Sequence, residues 1–214
     1  MTRSQEARGL LASCQLCPRQ CGVNRAQNQK GFCRSGRLPI VSSYNAHLGE
    51  EPPISGSRGS GTIFFANCNM ACVYCQNWPI SQLGQGQEVT FDRLAGMMLE
   101  LQERGCHNIN FVTPSHMIAQ ILIALPLAVE TGFNLPLVYN SSGYDSQNSL
   151  KLMDGVVDIY LPEAETIKGK AVRHSVWGRG QVVDIEGDGD DMKLSIVFKG
   201  GVKKKIMAGF VEFI

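Results

Sequence analysis

The chain reads as an α/β protein: parallel βαβ units followed by a small β module. Three observations carry this reading. Between residues 62 and 161, short apolar runs alternate with helix-period stretches, the pattern of a parallel sheet. The first of these runs, TIFFA, passes straight into a loop with three cysteines. After residue 163 the helical period stops, and short β runs divided by glycine-rich turns take over.

Taken in order, residues 1–13 form a short polar helix or a frayed end. The turn-rich stretch CQLCPRQCGVNRAQNQKGFC follows, carrying Cys14, Cys17, Cys21 and Cys33, with Pro18, Gly22 and Gly31 allowing its tight turns. Residues 37–60, broken by Pro39, Pro52, Pro53, Gly56 and Gly59, predict a loop with a short strand near 40–44. His47 within it reads as a satisfied loop histidine. Residues 62–66 are the first strand of the βα series. The stretch 89–104 has Phe91, Leu94, Ala95, Met98, Leu99 and Leu101 near helical spacing, with Thr90 as N-cap and Gly105 as stop. A strand at 108–112 precedes a helix at 116–130 that Pro126 kinks or breaks. A strand at 135–140, a short helix at 146–153 and a strand at 156–161 complete the series. Met97, Met98, Met117 and Met153 read as core residues.

Composition narrows the class. The chain has 214 residues, 43% of them hydrophobic and 18% charged, values of an ordinary globular protein with one substantial core or a core and a small module. A formal net charge of +1 gives no global field for nucleic acid or membrane. The first residues lack an apolar segment of signal-peptide length, and no run reaches the ~18 apolar residues of a membrane span. Eight cysteines are many for this length, and the consistent expectation is a reducing cytoplasm with thiols used as metal ligands.

The chemistry concentrates at Cys68, Cys72 and Cys75, spaced Cys-x-x-x-Cys-x-x-Cys. Three thiolates on one loop can hold three corners of a [4Fe–4S] cluster and leave the fourth iron open to a small molecule. A zinc site and a group of buried thiols are the alternatives. With Tyr74 before the last cysteine and an apolar strand before the loop, the stretch resembles the radical S-adenosylmethionine (SAM) superfamily. That resemblance implies a truncated partial TIM-like (β/α) barrel, with Cys68, Cys72 and Cys75 as iron ligands and Tyr74 near the SAM adenine. It implies reductive cleavage of SAM, an electron donor such as a flavodoxin or ferredoxin, and a protein substrate activated by hydrogen abstraction from glycine. Barrel sites lie at the carboxyl ends of strands, which selects Thr113 and Ser115, with His116 beside them, then Asn140 and Ser142, and Pro162-Glu163. The chain has Thr-Pro-Ser-His at 113–116 where many superfamily members carry a Gly-Gly-Glu type motif.

Four close thiolates at Cys14, Cys17, Cys21 and Cys33 suit a second metal, either zinc in a tetrahedral site or an iron–sulfur cluster. Their surrounding string, CQLCPRQCGVNR, is similar to the radical-SAM branch related to pyruvate formate-lyase-activating enzyme. A six-unit partial barrel needs two further βα units, but the remaining 50 or so residues are of β type. Strands are predicted at 182–185, 193–198 and 202–207, with turns at 178–180, 187–190 and 200–201, as a small SH3-like or Tudor-like barrel. The stretch 168–214 resembles the Tudor-like domain of UvrD/PcrA-type DNA helicases, which implies docking to RNA polymerase or nucleic acid. No GxxxxGK[ST] motif of a helicase motor occurs. Lys203, Lys204 and Lys205 read as a solvated strand edge or a contact to phosphate. The predicted organisation is thus a cysteine-containing segment at 1–60, a partial barrel at 61–163 with an exposed edge and apolar interior, and the β module at 168–214. Two functions follow: a radical-SAM enzyme, or an iron–sulfur or zinc protein without catalysis that binds a partner through its tail.

Overall fold

The computed structural model describes residues 3–72, 75–162, 171–186 and 192–213. The chain divides into two units, 1–162 and 163–214. In the first, helix α1 (Arg3–Leu10) precedes the cysteine-bearing turns and a 3-10 turn at Arg25–Gln27. Strand β1 (Ile40–His47), the one-turn helix α2 (Pro52–Ser55) and strand β2 (Ser60–Phe65) lead into the cysteine loop. Helix α3 (Trp78–Ser81) and the two-residue strand β3 (Gln87–Glu88) follow. Helix and strand then alternate through α4 (Phe91–Glu103), β4 (Ile109–Val112), α5 (Ile118–Glu130), β5 (Leu137–Ser141), α6 (Gln147–Met153) and β6 (Ile159–Pro162).

Capping explains the helix starts. The Thr90 hydroxyl accepts from the Arg93 N–H at 3.1 Å, and Ser146 Oγ accepts from the Ser149 N–H at 3.2 Å. Helix α4 ends before Gly105, whose φ of 83° only glycine adopts freely. Pro126 lies inside α5, and the helix continues through it to Glu130. Met97, Met98, Met117 and Met153 are buried, as core methionines should be.

The sheet order is β3-β1-β2-β4-β5-β6, with β2, β4, β5 and β6 parallel. These are the four strands the alternation predicts. The strand expected near 40–44 runs on to His47, where the ring meets Glu50 at 3.1 Å. It pairs antiparallel with β2, and β3 pairs antiparallel with it in turn. No apolar run announces β3, because it is two exposed polar residues long. Among the described residues no pairing joins β6 to β3, so the sheet is open. Its edge strand β6 leaves Ile159 and Tyr160 exposed, the edge the short βα series implies.

Register divides the strands into two faces. Ile63, Phe111, Tyr139 and Tyr160 stand in one row; Phe64, Val112, Asn140 and Leu161 stand in the next and point to the other side. Ile63, Phe65, Phe111 and Tyr139 join the core with Leu94, Met98, Leu101, Ile121 and Leu122 of α4 and α5. The opposite face carries Thr62, Asn110, Val138 and Asn140. All four are buried, so the apolar interior expected to lie open is covered at these positions.

The second unit is an antiparallel sheet of β7 (Ala171–His174), β8 (Gly178–Glu186), β9 (Lys193–Phe198), β10 (Lys203–Met207) and β11 (Val211–Phe213). Its order is β10-β9-β8-β7-β11, around a core of Val172, Val182, Leu194, Ile196 and Phe198. The strand predicted at 193–198 is found as such, and the Gly200-Gly201 turn has φ of 90° and 79°. Residues 178–180 are strand rather than turn. Gly180 is there for packing, since a Cβ on it would lie 2.6 Å from Ile196 Cγ2 and 2.7 Å from Phe198 Cδ1. The expected turn at 187–190 falls outside the described residues, as does Glu163. No helix among the described residues is long and apolar enough to cross a membrane.

Candidate functional site

Strand β2 delivers the chain to the cysteine loop at its carboxyl end. Asn67 and Ala71, with φ of 67° and 56°, turn the backbone through left-handed conformations there. Cys68 Sγ accepts the Met70 N–H at 3.3 Å. Burial pushes the Cys68 thiol up and the backbone N–H groups of Ala71 and Met70 oppose it. The thiols of Cys72 and Cys75 push it up further. Cys75 Sγ and Ser81 Oγ are 3.1 Å apart, and Gln82 Nε2 donates to the Cys72 carbonyl at 2.7 Å. Tyr74 lies outside the described residues.

The loop is tied to its surroundings by side chains from three other segments. His116 Nε2 donates to the Ala66 carbonyl at 3.0 Å, just before the loop. Asn69 Nδ2 donates to the Tyr144 carbonyl at 3.0 Å, and Arg19 Nε donates to the Asn69 carbonyl at 3.0 Å. Arg34 Nη2 reaches the Gln82 carbonyl at 2.5 Å. A crevice of about 210 Å³ lies against Phe32, Arg34, Cys68, Ala71, Ser81 and Gln82.

The other residues singled out by strand-end position gather nearby. Thr113 (φ 52°) starts the 3-10 turn Pro114–His116, and its N–H donates to the Asn140 carbonyl at 2.8 Å, joining the ends of β4 and β5. The Ser115 hydroxyl is buried with no hydrogen-bond partner among the described residues. Asn140 Oδ1, Ser142 Oγ and both amide atoms of Asn110 are also buried with no partner among the described residues. Buried polar groups are almost always hydrogen-bonded, so these positions suit a polar ligand or water. Tyr139 donates to Asp145 Oδ1 at 2.6 Å and Ser141 to Oδ2 at 2.7 Å, which fixes the loop after β5. Burial and the Asp145 charge keep the Tyr139 phenol protonated.

His116 itself is structural in its contacts. Burial, which the Arg25 charge reinforces, pushes it down to about 4. An unfolded chain protonates this histidine near 6.5. Between those values the unfolded state binds more protons, so the stability this group confers is full above pH 6.5 and is lost as pH falls towards 4. The expected loss is roughly 3 kcal/mol across that window. Urea midpoints measured from pH 7 to 4 should fall accordingly, and His116→Gln should flatten the curve.

The cysteines Cys14, Cys17, Cys21 and Cys33 line one small cavity with Arg25 and His116. Among the described residues no three His, Cys, Asp or Glu side chains stand close enough to grip one metal ion. Several participants escape a reading by motif: Arg19, Arg25, Asn69, Asn110 and Asp145. Asn110 carried a legible signal, a polar residue at the centre of the otherwise apolar strand INFV.

Comparison with known proteins bears on both units. Residues 169–211 match the family model described as the PcrA/UvrD tudor domain. The carboxyl-terminal segment is Tudor-like. No radical-SAM family model matches the chain. Over 165 residues it is 34% identical to the uncharacterized protein MJ0674 of Methanocaldococcus jannaschii, covering 73% of this chain and 46% of that protein. The chain therefore spans about half the length of the curated relative it matches.

Proposed function

We propose that the first unit is a radical-SAM iron–sulfur protein that reductively cleaves SAM, of the type that activates glycyl-radical enzymes. The observation that carries this is an arrangement of neighbouring strands. Three thiols follow the carboxyl end of β2, and β4, β5 and the loop after β5, next in the same parallel sheet, carry buried polar groups at Asn110, Asn140 and Ser142 with no partner among the described residues. The donor set fits the cofactor. A cubane distributes its thiolates over separate irons, so its ligands need not converge on one point as they must for a single ion. When bound, the cluster supplies the electron that cleaves the SAM sulfonium to methionine and a 5′-deoxyadenosyl radical.

The chain's own residues do the rest. Cys68, Cys72 and Cys75 hold the cluster, and the anchors from Arg19, Arg34, Gln82 and His116 hold their loop in place. Thr113, Ser115, Asn140 and Ser142, with Tyr74 at the adenine, orient SAM. The open sheet corresponds to the first strands of a partial TIM-like barrel, working in the cytoplasm with a flavodoxin or ferredoxin as donor and a protein as substrate. The test is anaerobic reconstitution with iron and sulfide, then EPR of the reduced protein with and without SAM. A cubane signal that shifts on adding SAM is expected. A signal indifferent to SAM, or no cluster, overturns the reading.

A second role, for the Tudor-like unit, rests on its surface. Val176 is 76% exposed and Trp177 42% exposed on the turn between β7 and β8, and Lys204 lies 4.7 Å from the Trp177 ring. Exposed apolar side chains beside a cation suit docking to RNA polymerase or to nucleic acid.

A further inference from the structure

Arg25 is buried to 1% of its surface, yet among the described residues no carboxylate pairs with it. Its Nε donates to the Gly36 carbonyl at 3.1 Å and its Nη1 to the His116 carbonyl at 2.7 Å. Nη1 also faces Cys14 Sγ at 3.9 Å, and Nη2 has no partner among the described residues. Burying a guanidinium this way is costly unless a negative group compensates it. The cavity beside it is lined by Cys14, Cys17, Cys21 and Cys33. Four thiolates on a divalent ion form a dianion, which is the missing counter-charge.

We infer that Cys14, Cys17, Cys21 and Cys33 bind a single Zn²⁺ ion and that the Arg25 guanidinium balances the charge of the tetrathiolate site. The donor set suits such an ion, because the cavity is lined by four thiols and by no carboxylate. Zinc is the tetrahedral, thiolate-binding divalent ion that requires no redox partner.

The backbone brings the ligands round. The Cys14 N–H donates to the Val23 carbonyl at 3.0 Å, and the Gly22 N–H returns to the Cys14 carbonyl at 2.9 Å. Gln20, Gly22 and Arg34 take left-handed turns at φ of 44°, 66° and 52°. Gly31 leaves room for Cys21, because a Cβ there would lie 2.8 Å from Cys21 Sγ. As the side chains stand, no three donors meet at one point among the described residues. Closing the site means turning thiols inward from around the cavity, with their protons released to solvent.

The experiment uses the full chain carrying Cys68→Ser, Cys72→Ser and Cys75→Ser, with Co²⁺ as the probe. One equivalent of Co²⁺ should give intense thiolate charge-transfer and tetrahedral ligand-field bands, displaced by Zn²⁺. Adding Cys17→Ser should remove them. Arg25→Gln should keep the bands but weaken binding by roughly ten- to a hundredfold, the worth of a charge-assisted hydrogen bond, and Arg25→Lys should restore part of it. Weak octahedral absorption, or iron with acid-labile sulfide retained on this quartet, overturns the site. Equal affinity in the Arg25 variants overturns the charge role. Should those variants be insoluble, alkylation of the otherwise unsubstituted chain decides. Zn²⁺ should shield Cys14, Cys17, Cys21 and Cys33 among the eight cysteines, and uniform reactivity overturns the proposal.

Discussion

Phe111→Ala should lower the unfolding free energy of the first unit by about 3–5 kcal/mol, the range seen when a buried phenylalanine is truncated. Phe111 has no exposed surface and stacks on Phe65 with ring centroids 6.0 Å apart. It stands in the central row of the sheet, between Ile63 of β2 and Tyr139 of β5. Its neighbours on both sides are strands pinned by main-chain bonds, so they cannot move in to fill the space, and the upper part of the range applies. With total stabilities of order 5–15 kcal/mol, such a loss threatens the folded state outright. Urea unfolding followed by far-UV circular dichroism checks this against Leu48→Ala, whose side chain is exposed and whose change should be within about 0.5 kcal/mol. Similar midpoints for the two variants would mean that Phe111 does not belong to the core. The consequence reaches the cysteine loop, because Ile63 and Phe65 immediately precede it on β2 and lean on the same ring.

This core was legible from the start, for a physical reason. The four parallel strands and the helices α4, α5 and α6 are specified by hydrophobic period and by caps at Thr90 and Ser146, all local properties of the chain. What was not legible depends on distant pairing. The antiparallel direction of β1 comes from its register with β2, and β3 exists only because β1 offers a free edge. Gly180 suggests a turn because glycine usually marks one; the need comes instead from Ile196 and Phe198 across the sheet.

The candidate site divides the same way. The cysteine spacings are sequence-local and could be read directly, whereas the residues that give the sites their character come from afar. Arg25 meets the His116 carbonyl across 91 positions of sequence, and Asn69 meets Tyr144 across 75. A lone arginine in CGVNR carries no signal of burial; only the fold reveals that its charge has no carboxylate among the described residues. Asn110 is intermediate: its polarity within INFV was visible, but its lack of partners was not.

Cys72→Ala should abolish reductive SAM cleavage, lowering 5′-deoxyadenosine formation with dithionite by more than roughly a hundredfold, since even outer-shell changes at metal sites reach that size. The substitution is suited to separating chemistry from folding. Gln82 holds Cys72 through its main-chain carbonyl, a bond that alanine retains, and Cys72 is only partly buried, so little packing is lost. The SAM-dependent EPR shift should vanish together with turnover, while the Co²⁺ bands assigned to the other four cysteines should persist. Gln82→Ala provides the graded comparison: with three thiols intact but the loop loosened, cluster loading should fall by about tenfold. The same variant divides the two roles of the chain. If the Tudor-like unit docks a partner through Trp177 and Val176, that binding should be indifferent to Cys72, whereas Trp177→Ala should weaken it and spare SAM cleavage. Turnover unchanged in Cys72→Ala would remove the radical-SAM reading and leave the docking role as the chain's remaining function.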